Sequence, residues 1–265
     1  MNTRVLRTVS VLALALVAGA LAAAPASANL LQEILKKGTV RVGVPIDVAP
    51  FGFTDSEGKP AGFDVDMANM LAKDLGVKLE VQQITGINRI PYLLTNKVDI
   101  VISVMGATPQ RAQQVAFTAP YAGLFLGVYG AKGLAVKSAA DLGTRKVGLP
   151  RGTTQDLSLT DMAPRANLVR FEDDATSAAA FLSGQTDLIA TANIVALDLM
   201  KKNPAKNIEL KFVIRLSPAH IAIRQGEPDL LRWLDTFIFF HKLNGNINKL
   251  HEKWFNEKMQ DLPTF

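Results

Sequence analysis

Apolar and polar positions along this chain switch between two periods. Thr39–Pro45 (TVRVGVP) alternates at every second residue, as a half-buried strand does. Gly62–Leu75 (GFDVDMANMLAKDL) repeats at three and four, which sets Phe63, Met67, Met70 and Leu71 on one helical face. Around them the same logic predicts a short lead-in helix at Leu30–Lys37, a Pro-broken loop at Asp47–Phe51 and a strand at Gly76–Val81. A helix over Asn88–Asn96 starts on an Asn cap with Pro91 in its first turn, and Ile100–Val104 is a short buried strand. Strand, helix, strand, helix, strand in that order predicts an α/β fold on a mainly parallel sheet.

The second half repeats this logic with different residues. Gly123–Gly133 is a glycine-punctuated apolar strand, Ser138–Leu142 a Ser-capped turn and Lys146–Leu149 a strand. After Phe171 come a helix over Ala175–Ser183 and a strand over Asp187–Ala190; Asn193–Lys201 is helical until Asn203-Pro204 stops it. Glu209–Arg215 and Ala219–Arg224 are strands separated by Ser217-Pro218. Asp229–Leu243 and Ile247–Phe255 are amphipathic helices that place Trp233, Phe237 and Trp254 in the core.

Two short stretches carry chemistry. In Thr108-Pro109-Gln110-Arg111, Thr108 is an N-cap and Pro109 fits the first helical position, so Arg111 falls at the third. A cation in a first turn opposes the helix dipole and calls for an anion. That anion is either a bound carboxylate or a nearby Asp or Glu on the surface. The second stretch is Arg151-Gly152-Thr153-Thr154-Gln155-Asp156, where Gly admits close backbone approach and Thr supplies caps. The free N–H groups of such a helix start form an anion cradle, although most turns of this kind are only capped helices.

Met1–Ala28 changes the setting in which these motifs work. Arg4 and Arg7 precede an apolar run from Val9 to about Ala24, and Ala26-Ser27-Ala28 follows, the layout of a secretory signal cut after Ala28. With no cysteine in the chain, a lipid-anchored cleavage site, disulfides, zinc–thiolate sites and thiol catalysis are excluded. The expected product is a free, exported, soluble protein of 265 − 28 = 237 residues. The signal carries two of the 29 basic residues, so 27 − 24 leaves a formal charge of +3. That balance lacks a clustered basic run with interleaved aromatics, so nucleic acid is not an expected partner.

Gly62-Phe63-Asp64-Val65-Asp66-Met67, with Leu71-Ala72 and Leu75 behind it, resembles the signature of solute-binding protein family 3. These are the periplasmic polar-amino-acid receptors of ABC importers. The resemblance extends through the Thr-Pro-x-Arg stretch ending in Pro120-Tyr121, the Gly152-Thr153-Thr154 turn, Gly184–Asp187, Gly245 and Lys253-Trp254. It implies a two-lobed periplasmic-binding-protein-like (type II) α/β fold, hinged on two crossover strands near Leu126–Ala131 and Arg215–Ala219. Residues 29–126 and 219–265 would form one lobe and 127–218 the other. It also implies periplasmic localisation, a small carboxylate or amino-acid ligand, an inner-membrane ABC permease as partner, a monomer, and no cofactor. Arg111 would grip the ligand α-carboxylate, with the backbone N–H of Thr154 reaching it from the other lobe. Candidate contacts are then Arg111, Thr154, Thr153, Gly106, Val104, Asn193, Asp47 and Arg151.

This chain departs from the family pattern at several positions. Val48 stands where a Tyr or Phe usually stacks on the ligand, Gly86 where another large side chain forms the opposite wall, and Gly106 where a Ser or Thr hydroxyl holds the carboxylate. Ala192 stands where the amino-acid receptors carry the Asp that pairs with the ammonium, and Asn193 is the neighbouring polar group. A buried ammonium needs an anionic partner. Either Asp47 or an acid such as Asp156 substitutes, or the ligand is a carboxylate without that ammonium. Two other roles fit the same fold. One is a cyclohexadienyl dehydratase-like enzyme, whose general acid would come from Glu57, Glu172 or His220; the other is a sensory receptor not used in transport. The resemblance favours a transport receptor over an enzyme.

Overall fold

The computed structural model describes residues 29–259. The expected signal segment and its cleavage site lie outside the described residues. The first lobe opens with α1 (Leu30–Lys37), β1 (Thr39–Val44), β2 (Asp47–Val48), β3 (Gly52–Thr54), β4 (Pro60–Ala61) and α2 (Phe63–Leu75). It continues through β5 (Lys78–Gln83), α3 (Arg89–Leu94), β6 (Ile100–Gly106), α4 (Pro109–Ala112) and β7 (Val115–Ala122). The second lobe holds β8 (Phe125–Ala131), β9 (Lys146–Pro150), α5 (Thr154–Met162), β10 (Asn167–Phe171), α6 (Asp174–Leu182), β11 (Leu188–Ala192), α7 (Asn193–Lys202) and β12 (Ile208–Leu216). The chain then returns to the first lobe as β13 (Ala219–Arg224), α8 (Pro228–Leu243) and α9 (Asn246–Phe255).

Each lobe is built on one five-stranded sheet, ordered β5-β1-β6-β13-β7 in the first and β10-β9-β11-β8-β12 in the second. The expectation of a mainly parallel sheet is corrected in both. β1 runs parallel to β5 and β6, but β13 is antiparallel to both β6 and β7. The reason is the chain path: β13 arrives from the other lobe and enters the sheet from the opposite direction. β8 is antiparallel to β11 and β12 for the same kind of reason.

Only residues 123–124 and 217–218 separate the two sheets along the chain. Leu126–Ala131, where the first crossover was expected, pairs along its whole length within the second sheet. The two connections touch, with Ser217 N–H donating to Leu124 C=O at 3.0 Å.

α2 forms as its pattern predicts. Asp64 and Asp66 occupy its first turn, and Gly76 closes it in the left-handed conformation, donating to the carbonyls of Ala72 and Lys73. Its buried face carries Phe63, Met67 and Leu71. Phe63 lies in an aromatic group with Phe51, Tyr121 and Phe255. Phe237 is buried as expected, while Trp233 and Trp254 pack against the core partly buried. α3 differs from its reading: Asn88 makes no cap hydrogen bond, and its Oδ1 instead accepts from Thr85 N–H at 2.9 Å.

Beneath α2 lies a fully buried polar group. Asp64 Oδ1 accepts from the Tyr121 hydroxyl at 2.8 Å, and Asp64 Oδ2 accepts from Val104 N–H at 3.1 Å. Val104 has φ of 45°, a left-handed conformation that strains a β-branched residue. Burial pushes the Asp64 carboxyl up to about 7, against the pull of its Tyr121 and Val104 bonds. Folded Asp64 therefore keeps its proton where the unfolded side chain, at about 4, has lost it, so stability falls as pH rises from about 4 to about 7. Asp64→Asn is expected to flatten that fall when urea denaturation is followed across this range. An unchanged slope would refute the assignment to Asp64.

Candidate functional site

Between the lobes lies a cavity of about 30 Å3. Val48, Arg89 and Val104 line it from the first lobe; Thr153, Thr154, Asp174 and Ala192 line it from the second, and Ser217 from the return crossover. Arg111 does not line the cavity itself and is bonded to Thr154, which does. It is 5% exposed, and its Nη1 donates to Gly106 C=O at 2.7 Å and to the Thr154 hydroxyl at 2.9 Å. Nη2 donates to Gly152 C=O at 3.0 Å. Two of these bonds cross from one lobe to the other, and all three acceptors are neutral. Among the described residues no carboxylate lies within ion-pair distance of Arg111, so a surface ion pair does not account for it. Burial, together with Arg89 and Arg215, pulls the guanidinium down to about 10.

The local frame around Arg111 is simpler than its pattern suggests. Thr108 does cap the turn, accepting from Arg111 N–H at 3.2 Å. But α4 is a single turn of four residues, and β7 follows at once. The expected helix is therefore too short for a dipole argument, and the site rests on the guanidinium. On the facing lobe, the Thr153 hydroxyl is spent on its own turn, donating to Pro150 C=O at 2.7 Å and accepting from Asp156 N–H. Thr154 is the one that faces Arg111.

The departures from the family pattern have steric counterparts. A Cβ on Gly106 would sit 2.4 Å from Ser217 Oγ and 2.9 Å from Thr154 Oγ1. The Ser217 hydroxyl thus occupies the space next to the missing one. A Cβ on Gly86 would meet Arg151 C=O at 2.9 Å and the Thr153 methyl at 2.8 Å, so this glycine brings the lobes together and does not enlarge the cavity.

Of the sequence candidates, Val104, Thr153 and Thr154 line the cavity; Arg111, Gly106 and Asp47 stand behind or beside that lining, and Asn193, Arg151 and Asp156 are committed elsewhere. Asn193 is the first residue of α7, capped by Ala192, and its Oδ1 accepts from Phe125 N–H at 3.1 Å. It anchors the start of β8. Arg151 is exposed and sits 3.6 Å from Glu172. Asp156 holds Gly152 N–H at 2.9 Å and Arg170 at 2.8 Å, which commits it to the α5 start. It does not substitute for an acid at Ala192. Asp47 sits beside the cavity, its Oδ2 accepting from Asp174 N–H at 3.1 Å across the lobes. Of the general-acid candidates, Glu57 pairs with Lys59 and Glu172 with Arg151 on the surface. His220 is buried in β13 with Nδ1 2.7 Å from Thr118 C=O, and burial lowers its pKa. None of the three lines the cavity.

Arg89 and Asp174 were missed by pattern reading. Arg89 opens α3, 5% exposed, with Nε donating to Ser103 Oγ at 3.1 Å. The same first-turn cation argument that flags Arg111 would have flagged it. Asp174 follows the true cap, Asp173, whose carboxylate accepts from Thr176 N–H. Two consecutive acids at a helix start read as capping chemistry, which conceals the second. Burial pushes Asp174 up to about 7, helped by Asp47 and Asp173 and opposed by Arg89.

A family model described as bacterial extracellular solute-binding proteins, family 3, matches residues 40–257. The chain belongs to this family. It is 30% identical to the L-cystine-binding protein TcyJ of Escherichia coli (strain K12) over 92% of this chain and 93% of that one. The cysteine-binding protein from Campylobacter jejuni superposes with a TM-score of 0.81 at 28% identity, over 88% of this chain and 95% of that structure. An ancestral amino acid-binding protein, a precursor of cyclohexadienyl dehydratase, superposes with a TM-score of 0.79 at 38% identity, over 85% and 99%. The family-3 receptor described here thus shares their two-lobed fold and is the substrate-binding component of an ABC importer.

Because Gly106 sets how closely Ser217 and Thr154 approach Arg111, Gly106→Ala is expected to lower Tm of the receptor by a few degrees, the cost of overpacking. It should weaken carboxylate binding about tenfold, the scale of a clash relieved by small shifts. Adding Ser217→Ala should recover part of the loss in titration calorimetry. A double variant no better than the single one would remove steric crowding as the cause.

Proposed function

We propose that the receptor captures an amino acid or related small carboxylate with Arg111 and Thr154 as the two halves of a clamp. It then delivers the solute from the periplasm to an inner-membrane permease. The observation that carries this reading is the Arg111 guanidinium, buried and bonded across the lobes to neutral acceptors alone. A buried cation without an anion is costly, and a carboxylate supplies the charge. A carboxylate offers the guanidinium a full opposite charge and a bidentate geometry that carbonyl and hydroxyl acceptors lack, so an arriving carboxylate gains where the side chain is already placed. The same bonds favour the closed arrangement, because only there do both lobes reach one ligand.

Residues 29–122 with 219–259 form one lobe on this reading and 125–216 the other, with the short connections at 123–124 and 217–218 as the hinge. The relatives' names, an L-cystine-binding and a glutamine-binding protein among them, support an amino acid as cargo. The receptor works as an exported monomer whose signal is removed after Ala28.

A thermal-shift panel of amino acids, organic acids and amines tests the clamp, since a bound ligand raises apparent stability by mass action. Carboxylates should shift the wild type and amines alone should not. Arg111→Ala should lower affinity for the best carboxylate at least about a hundredfold, the cost of truncating one partner of a buried charge pair, with its unliganded Tm kept. Unchanged affinity in Arg111→Ala would end the clamp reading.

A further inference from the structure

Ala192 leaves the usual ammonium position without charge, yet the cavity has an acidic end of its own. Asp174, at the start of α6 in the second lobe, lines the cavity. Asp47, from β2 in the first lobe, reaches across to accept from Asp174 N–H at 3.1 Å. Its other oxygen, Oδ1, is buried and has no hydrogen-bond partner. Arg89 lines the same cavity, 5% exposed, and among the described residues its one hydrogen bond is to the neutral Ser103 hydroxyl.

We propose that Asp47 and Asp174, one from each lobe, form the subsite for the cationic end of the ligand, so that the captured solute is an aminated carboxylate. This rests on the reading that Arg111 holds the carboxylate. The charge balance supports it. Arg89 faces the two carboxyls, Asp47 and Asp174, while Arg111 stands behind Thr154 as the second guanidinium of the set. A zwitterion adds one charge of each sign and keeps the set neutral. A carboxylate without an amino group adds one uncompensated buried charge, which the pair can absorb only by holding a proton. Burial is the main cause that raises the pKa of both Asp47 and Asp174, so each holds a proton more readily than a free carboxyl. The charged groups that face Asp174 are Asp47 on β2, Asp173 beside it and Arg89 on α3. On the strands behind α6, Arg170 of β10 is paired with Asp156, and Lys146 stands at the far end of β9. A ligand cation set beside the two acids favours their ionised forms and so draws protons off them.

Titration calorimetry of the purified receptor, run in buffers of different ionisation enthalpy at pH 6 to 7, tests this with two probe sets. One is glutamine, arginine and cystine; the other is propionate, succinate and glutarate. At least one amino acid should bind with net proton release, and the organic acids should bind more weakly and without it. Asp174→Asn should weaken the amino acid at least tenfold and abolish the release, leaving organic-acid affinity the same or higher, and Asp47→Asn should act in the same direction. Circular dichroism should report folded variants. Amino-acid affinity unchanged in both variants would overturn the subsite, as would a wild type that binds organic acids alone or no amino acid. Arg111→Ala separates the two ideas: it should remove both ligand classes, and if it spares them the clamp fails while the acidic subsite is judged on the Asp variants.

Discussion

A buried guanidinium that joins two lobes through neutral acceptors is the constraint on which the rest of this receptor depends. Arg111 is kept from water because it sits against Gly106 at the end of the central strand β6, and among the described residues it has no carboxylate within ion-pair reach. Its stability is therefore borrowed from the other lobe, from Gly152 C=O and the Thr154 hydroxyl. Three neutral bonds hold a cation in place but do not neutralise it, and the depressed pKa of about 10 reflects that deficit. A protein that only needed to join its lobes would gain more from an Asp at this point. Keeping the anion out of the chain leaves the charge available to a ligand.

Polar groups near the cavity divide into those the fold consumes and those it withholds. Thr153, Asp156 and Asn193 are consumed: each satisfies a backbone N–H at a helix start or at the first crossover. Asp64 is consumed as well, holding Val104 in a conformation that a valine would not adopt alone. Arg111, Arg89, Asp47 and Asp174 are withheld, each with fewer or weaker partners than a buried ionic group normally has. A residue of functional type beside a cleft is informative only after its structural obligations are counted.

That division explains what could be read from the sequence. The order of the long helices and of most sheet strands was legible, because the switch between a period of two and a period near four survives in a single chain, while β10 and the short strands β2–β4 were not read. α1 and β13 fall where their patterns end. Sheet direction was not legible, since nothing in the pattern of β13 says that it comes back from a second lobe. β7 was hidden behind the single-turn α4, whose capped start looks the same as that of a longer helix. Of the site, Arg111 was visible because a cation is unusual in a helix's first turn, and Thr154 only through the resemblance to the family. Asp174 and Ser217 were not, because an acid after a cap and a serine before a proline are ordinary there. Asp156 and Asn193 were over-read for the converse reason: their side chains are of ligand-binding type, but a backbone N–H reaches each of them first.

The steric side of the cleft follows from the same economy. A hydroxyl-bearing side chain at position 106 would collide with Ser217 and Thr154, while any side chain at position 86 would push against Arg151 and Thr153. Both glycines therefore let the second lobe come close enough for Thr154 to meet Arg111. Losing a family hydroxyl at 106 is then no simple loss of a contact. The Ser217 hydroxyl, carried on the return crossover, stands in the vacated space, and its backbone N–H is fixed to Leu124 on the outgoing crossover. A group placed there belongs to the connection between the lobes and not to either sheet, so a change in their relative position at residues 123–124 and 217–218 would carry it along.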